Sequence, residues 1–285
     1  LQKKEKGYAY HTVRDMLSCL SSAMDYAKIS CHYIKTNPCD DVKMPKFPPD
    51  KGRENFNGYV CRGEDFKKLI TRFPEGSPFY VPIMTGYCLG TRIGESYGID
   101  LKTDINFEDN TITIERQMQY RQPYWYVQPP KYNSVRTIKM GGTFAEIIRK
   151  VILERKKNML KYGEYYIRTY VSPEGKIIEL PSSVEAPQDY IERWFINTRE
   201  CGSLLTTNSF KYCARVAHRE LDLPLFHSHC LRHTHGTILA ENKVSPKVIM
   251  KRLGHKDIAT TLQIYVFDTE EMHEDAMEIF DREAI

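Results

Sequence analysis

Residues 79–89, FYVPIMTGYCL, are apolar nearly all round when wound into a helix. A helix with no polar face must be buried, so the rest of the core has to be built around this segment. The flanking pattern is mostly helical. Residues 12–28 place Val13, Met16, Leu17, Leu20, Met24 and Ala27 at helical spacing. Asn37-Pro38 then breaks the chain, and Pro45, Pro48 and Pro49 make a stiff linker. Gly63-Glu64-Asp65 opens a short helix carrying Phe66, Leu69 and Ile70. Residues 111–115, 124–128 and 135–140 alternate as strands, and residues 129–134 read as the hairpin tip between the last two. Residues 143–160 form an amphipathic helix, with Phe144, Ile147, Ile148, Val151 and Leu160 inward. Its basic face, Arg149, Lys150, Arg155, Lys156 and Lys157, suits phosphates or solvent. Two further strands, 165–171 and 176–180, flank Pro173-Glu174-Gly175. Residues 207–220 form a helix, Ser245-Pro246 caps the next one, and Gly254 ends it. The expected fold is mainly α with a small antiparallel β sheet, an α+β class.

At 285 residues the chain is long enough for two domains. Its 41% hydrophobic and 27% charged content describes a soluble globular protein. No apolar run is long enough for a membrane span, and no signal peptide is seen. Eight cysteines with no Cys-x-x-Cys favour reduced thiols in a cytoplasmic protein. The net charge of +4 is unevenly spread. From residue 266 onward eight acids face one base, Arg282, a net of −7 that leaves +11 on the rest. A basic body with an acidic tail suits a polyanion partner that the tail avoids.

Three motifs carry the chemistry. The first is Gly90-Thr91-Arg92-Ile93-Gly94-Glu95, directly after the buried helix. The second is His229-Cys-Leu-Arg232-His233. The third runs Leu253-Gly254-His255, then Thr260-Thr261-Leu-Gln-Ile-Tyr265. Together, in this order and at these spacings, they resemble the two catalytic boxes of the tyrosine recombinases, the phage-integrase family of DNA strand exchangers. Tyr265 is singled out among 19 tyrosines by its place after Leu-Gly-His. The Val266-Phe267 that follows it differs from the Thr-His or Ser-His often found there.

The residue types fit the chemistry. Two arginines can hold the non-bridging oxygens of a phosphodiester and stabilise its pentacoordinate state. A tyrosine, with a free pKa of about 10, attacks once a base takes its proton, and histidine is the usual base. A phosphotyrosine is itself a phosphodiester, so resealing requires no nucleotide cofactor.

The resemblance implies roles. Arg92 and Arg232 clamp the scissile phosphate, and Tyr265 attacks to leave a 3′-phosphotyrosine and a free 5′-hydroxyl. His229 is the base, and His255 bonds or orients the phosphate. The family carries a lysine on a hairpin in the minor groove. Lys131 matches that position best, as the acid for the leaving 5′ oxygen; Arg136 and Lys139 are weaker matches. Glu95 supports the site. His233 and His235 are local structure. Lys211, Arg215 and Arg219 form a basic stripe suited to backbone phosphates. No metal site is expected, because two arginines serve a metal poorly.

The implied organisation is a partial core-binding domain with linker over 1–49 and a catalytic domain over 50–269. A β-containing insertion at about 163–204 resembles the integrases of conjugative transposons. A carboxy-terminal helix, 270–285, would pass to a neighbouring protomer. Met272, Ala276, Ile279 and Phe280 share one apolar face there, and the other face is acidic. The implied partners are double-stranded DNA at attachment sites and three further copies in a tetramer. The setting is bacterial, nucleoid-associated cytoplasm. Two other readings remain: a type IB topoisomerase-like enzyme, and a non-catalytic DNA-binding protein derived from a recombinase.

Overall fold

The computed structural model describes residue 8, residues 10–44 and residues 59–265; the side chains of 11 and of 263–265 lie outside that description. The chain divides into two units, Leu1–Asn57 and Gly58–Ile285. The Pro45–Pro49 linker and the 270–285 helix fall outside the described residues.

The first unit contains α1 (Tyr10–Ile29). Asn37 folds back on it, donating from Nδ2 to Asp25 Oδ1 at 2.8 Å and to the Ser21 carbonyl at 3.1 Å. Its Oδ1 accepts the Cys39 N–H at 2.8 Å, so Asn37-Pro38 is a fixed stop. Met16 and Leu20, two of the apolar residues at helical spacing, are exposed.

The second unit is a mainly α domain with small antiparallel sheets. Its helices are α2 (Gly63–Arg72), α3 (Tyr80–Leu89), α4 (Ile93–Gly98), α5 (Gly142–Tyr162), α6 (Thr207–Glu220), α7 (Ser228–Glu241), α8 (Pro246–Leu253) and α9 (Ile258–Tyr265). The all-apolar segment is α3, and it serves two cores. Met84 and Leu89 join the cluster of Ile112, Ile138, Phe144 and Ile148. Ile83 joins Leu69, Phe210, Phe226 and Leu231.

The strands are β1 (Ile105–Asn106), β2 (Thr111–Ile114), β3 (Gln117–Arg121), β4 (Tyr124–Gln128), β5 (Arg136–Lys139), β6 (Ile167–Val171), β7 (Ile177–Pro181) and β8 (Ile191–Arg193). They form sheets in the orders β1-β2-β5, β3-β4 and β7-β6-β8, with Ile112 opposite Ile138 in the first. This corrects the hairpin reading of residues 129–134. Strand β4 pairs with β3, not with β5. The segment is a 3-10 turn, Lys131–Asn133, leading from one sheet to another. The polar sequence of β3, QMQYR, hid the true partner, and the real tip is Gln122-Pro123.

Two further expectations are corrected on α5. Leu160 is 86% exposed, because the last turn of α5 runs past the core. Arg155 is buried instead of lying on the basic face; it donates to the Phe195 carbonyl and to Thr198 Oγ1, and Trp194 lies over it. The 163–204 segment is therefore part of the core. Val171, Ile177, Phe195 and Leu204 pack with Tyr97, Met118 and Val127. No helix among the described residues is long and apolar enough to cross a membrane.

Candidate active site

Arg92 stands at the N-cap of α4, just after Gly90 ends α3 with φ +67°. Only glycine takes that conformation without strain, and a Cβ there would come within 2.6 Å of Leu253 Cδ2 and 2.7 Å of His235 Cδ2. The turn thus exists only because residue 90 is glycine, and it delivers Arg92 to the second box. Glu95, three residues on, accepts the Arg92 backbone N–H at 2.9 Å and the Arg92 guanidinium at 2.7 Å. The first is the backbone half of a capping box.

His229 and Arg232 lie three apart on α7, hence on one helical face. Arg232 is only 2% exposed. Its Nη1 donates to the Gly90 carbonyl at 2.9 Å. Its Nη2 is buried and has no hydrogen-bond partner among the described residues. In return Arg92 Nη2 donates to the Gly254 carbonyl at 3.1 Å. Each arginine therefore holds the glycine turn of the other box.

Gly254 ends α8 at φ +67°, and the Gly254 N–H reaches the Met250 carbonyl at 2.9 Å. The other end of α8 is as expected in place, with Ser245 at the N-cap and Pro246 first, but the Ser245 side chain makes no cap bond. His255 follows the glycine, and its Nδ1 lies 2.8 Å from Thr261 Oγ1. Thr261 is fully buried on α9, the helix that bears Tyr265. The Tyr265 side chain lies outside the described residues.

The electrostatics are those of a cationic pocket. Burial first, then Arg92, pulls Arg232 down to about 9, while Glu95 opposes the fall. It stays charged at neutral pH. Desolvation and then Arg232 bring His255 down to about 4. The same two causes, in the same order, bring His229 to about 4, although by area its ring opens to solvent. Both imidazoles are therefore neutral at pH 7 and can accept a proton. Glu95 is fully buried; burial pushes its pKa up, but Arg136 and Arg92 outweigh that and hold it below the usual carboxylate range. A buried guanidinium with a free donor, beside a second arginine, is a site for a phosphate or similar anion.

Lys131 is exposed on its 3-10 turn, with Nζ 5.0 Å from the Tyr132 ring centre. Lys256, next to His255, reaches the same ring at 5.7 Å. The turn thus adjoins the Leu-Gly-His segment. Lys139 instead donates to the Asp109 carbonyl at 2.7 Å. His235 is structural: its Nε2 accepts Arg252 Nε at 2.8 Å, which leaves Nδ1 to donate to the Tyr87 carbonyl at 2.8 Å. His233 lies 3.2 Å from Thr237 Oγ1 on its own helix. Lys211, Arg215 and Arg219 are exposed on α6 and make none of the contacts of the cluster.

Sequence reasoning passed over two members of the cluster. Thr261 was visible in the motif but had no role there. Arg136 was weighed only as a substitute for Lys131, yet it is buried against Glu95. Its signal was the strand period, since Arg136, Ile138 and Met140 alternate inward with exposed Thr137 and Lys139.

The sequence profile of the phage integrase family matches residues 69–272. A XerC-like tyrosine recombinase of Caldanaerobacter subterraneus is 23% identical over 274 residues, covering 92% of this chain and 63% of that protein. The transposase from transposon Tn916 of Enterococcus faecalis is 23% identical over 278 residues, covering 94% and 61%. The chain thus spans less than two thirds of the length of these curated relatives. Among solved structures, the Tn1549 transposon integrase in complex with transposon right end DNA shares the fold. Its TM-score is 0.66 at 22% identity, over 98% of this chain and 82% of that one.

Proposed function

The chain belongs to the phage integrase, or tyrosine recombinase, family, and from that premise we propose that it is a site-specific recombinase of a mobile element. It cuts and rejoins DNA through a 3′-phosphotyrosine and so integrates and excises the element. The observation that carries this reading is the pairing of Arg92 with Arg232, whose buried Nη2 has no partner among the described residues, beside the neutral His229 and His255. The names of similar proteins, among them a Tn916 transposase and a Tn1549 integrase bound to transposon end DNA, support the substrate class.

In this mechanism Arg92 and Arg232 hold the non-bridging oxygens of one phosphodiester. The Tyr265 oxygen attacks phosphorus as His229 takes its proton. The bond to the 5′ oxygen breaks, and Lys131 gives that oxygen a proton. His255 bonds the phosphate. An approaching phosphate offsets the charge of the arginines, so it raises the affinity of His229 for a proton at the moment the base is needed. The steps reverse when a 5′-hydroxyl from another strand attacks the phosphotyrosine, so no cofactor is consumed.

Four protomers on two duplexes would carry out the exchange. Residues 1–49 would act as a partial core-binding domain and 50–269 as the catalytic domain. Residues 270–285 would dock on a neighbouring copy, and Lys211, Arg215 and Arg219 would contact backbone phosphates.

The test is incubation with a nicked duplex carrying the element's end sequence. Native protein should form a covalent adduct, and Tyr265→Phe should bind DNA equally but form none. An adduct persisting in Tyr265→Phe would move the nucleophile elsewhere. Binding without any adduct in the native chain would favour a non-catalytic DNA-binding protein. Relaxation of supercoils by a monomer, without strand exchange, would favour the topoisomerase reading. Deleting 270–285 should spare half-site binding and weaken cooperative assembly on the full site.

A further inference from the structure

Arg136 lies in the middle of the cluster without any place in the chemistry above. We infer that it is a positioning residue, one that holds the Lys131 turn and the Gly254-His255 turn in register with Arg92. The inference rests on the reading of the site just given.

The argument starts from its bonds. Arg136 is 7% exposed, and all three of its guanidinium nitrogens are engaged. Nη2 donates to Glu95 Oε2 at 2.7 Å, and Nη1 reaches Glu95 Oε1 at 3.3 Å. Nη1 also donates to the Ser134 carbonyl at 3.1 Å, and Nε to the Arg252 carbonyl at 2.8 Å. Each acceptor belongs to a different part of the site. Glu95 carries Arg92, at 2.7 Å on the other side of the same carboxylate. Ser134 follows the turn that begins at Lys131. Arg252 stands two residues before Gly254.

The packing agrees. A Cβ on Gly254 would lie 2.9 Å from Arg136 Nη1 and 3.1 Å from its Cζ, so the Leu-Gly-His turn rests directly on the guanidinium. The contact is also returned: Arg252 Nη1 donates to the Lys139 carbonyl at 2.9 Å. Strand β5 is therefore bound at both ends to the last turn of α8. A lysine at 136 would keep the charge, but it has a single nitrogen and cannot span three acceptors arranged for a planar fork. A residue that only filled the core would not need its acceptors to belong to these three segments.

Arg136→Lys tests the role, with Arg155→Lys as the comparison. Arg155 is as deeply buried, but it bonds the Phe195 carbonyl and Thr198, outside the cluster. The readouts are half-site affinity and the rate of adduct formation on a nicked duplex. Each is taken with an ordinary and with a sulfur-substituted 5′ leaving group. Arg136→Lys should keep its affinity and form adduct about 100-fold more slowly, the scale of a displaced catalytic group. The deficit should shrink with the sulfur leaving group, which needs no proton from Lys131. Cleavage at the native rate would overturn the proposal, as would losses in affinity and rate that match those of Arg155→Lys. Amide hydrogen exchange on the DNA-free proteins gives an answer whether or not the native chain cleaves DNA. Arg136→Lys should speed exchange at 131–135 and 253–256 and leave 83–89 unchanged; a uniform rise across the domain would also overturn it.

Discussion

His255 Nδ1 and Thr261 Oγ1 stand 2.8 Å apart, and this bond ties the Leu-Gly-His turn to the helix that carries Tyr265. Thr261 is buried, so no water can take its place. Thr261→Val keeps the shape and removes the hydroxyl, which leaves Nδ1 unsatisfied at a cost of about 1–3 kcal/mol. Urea unfolding should register that loss, and adduct formation should slow. Thr261→Ser should restore most of both. An unchanged unfolding midpoint in the valine variant would show that the bond contributes nothing.

Glu95 is the carboxylate between Arg92 and Arg136. Glu95→Gln leaves the buried Arg136 and the half-buried Arg92 without their shared counter-charge. Breaking a buried ion pair from one side costs about 3–5 kcal/mol, and thermal unfolding should show a destabilisation of that order. Inorganic sulfate should raise the Tm of the variant more than that of the native chain, since the pocket has become more cationic. A variant as stable as the native chain would mean that the network is slack.

Three histidines, His229, His235 and His255, are each brought to about 4 in the folded chain, chiefly by desolvation and then by neighbouring arginines. Their ordinary value is near 6.5. Between those two values the unfolded chain binds more protons than the folded one, so stability rises with pH across the window. The contribution is fully present above about 6.5 and is lost as pH falls toward 4. Tm measured from pH 4 to 8 should climb and then flatten, and His235→Gln should reduce the climb without touching the proposed chemistry. A flat profile below pH 6 would contradict the desolvated state of the His235 and His255 rings, the two that are not exposed by area.

Lys131 is the proposed proton donor to the leaving oxygen. Lys131→Ala should slow cleavage of an ordinary duplex, and a sulfur-substituted 5′ leaving group should restore it, because a thiolate departs unprotonated. Rescue of Lys139→Ala instead would assign the role to the other lysine, whose amine is bound to the Asp109 carbonyl in the free chain.

The chain order of the motifs made much of the cluster legible. Arg92 and Glu95 could be read because their motif, right after an all-apolar helix, resembles a catalytic box of the family; the left-handed turn at Gly90 that places them emerged only in the structure. Gly254 could be read locally as the stop of its helix, whereas His255 came from the same resemblance. What stayed hidden depends on partners far away in sequence. Arg155 looked like surface charge, since nothing local announces that the Phe195 carbonyl will accept its proton. Leu160 looked inward because periodicity gives the face of a helix but not where the core under it ends. The β3 strand, Gln117–Arg121, was missed because it pairs through its backbone while carrying polar side chains. Arg136 sat at an inward position of β5, where its charge argued against burial; only Glu95, 41 residues earlier, makes that burial tolerable.

The crossed bonds between the boxes have a consequence in time. Arg232 holds the carbonyl of Gly90, and Arg92 holds that of Gly254. Both bonds join residues more than 140 positions apart in the chain, so neither can form before the later residue has arrived, and until then Arg92 has only Glu95. During synthesis, then, the first box emerges early and waits without its clamp. A nascent chain that stalls before residue 232 presents Arg92 on the carboxylate of Glu95 without the second arginine of the pocket. The second box must leave the ribosome before the two arginines can stand side by side, so the anion pocket appears only late in synthesis.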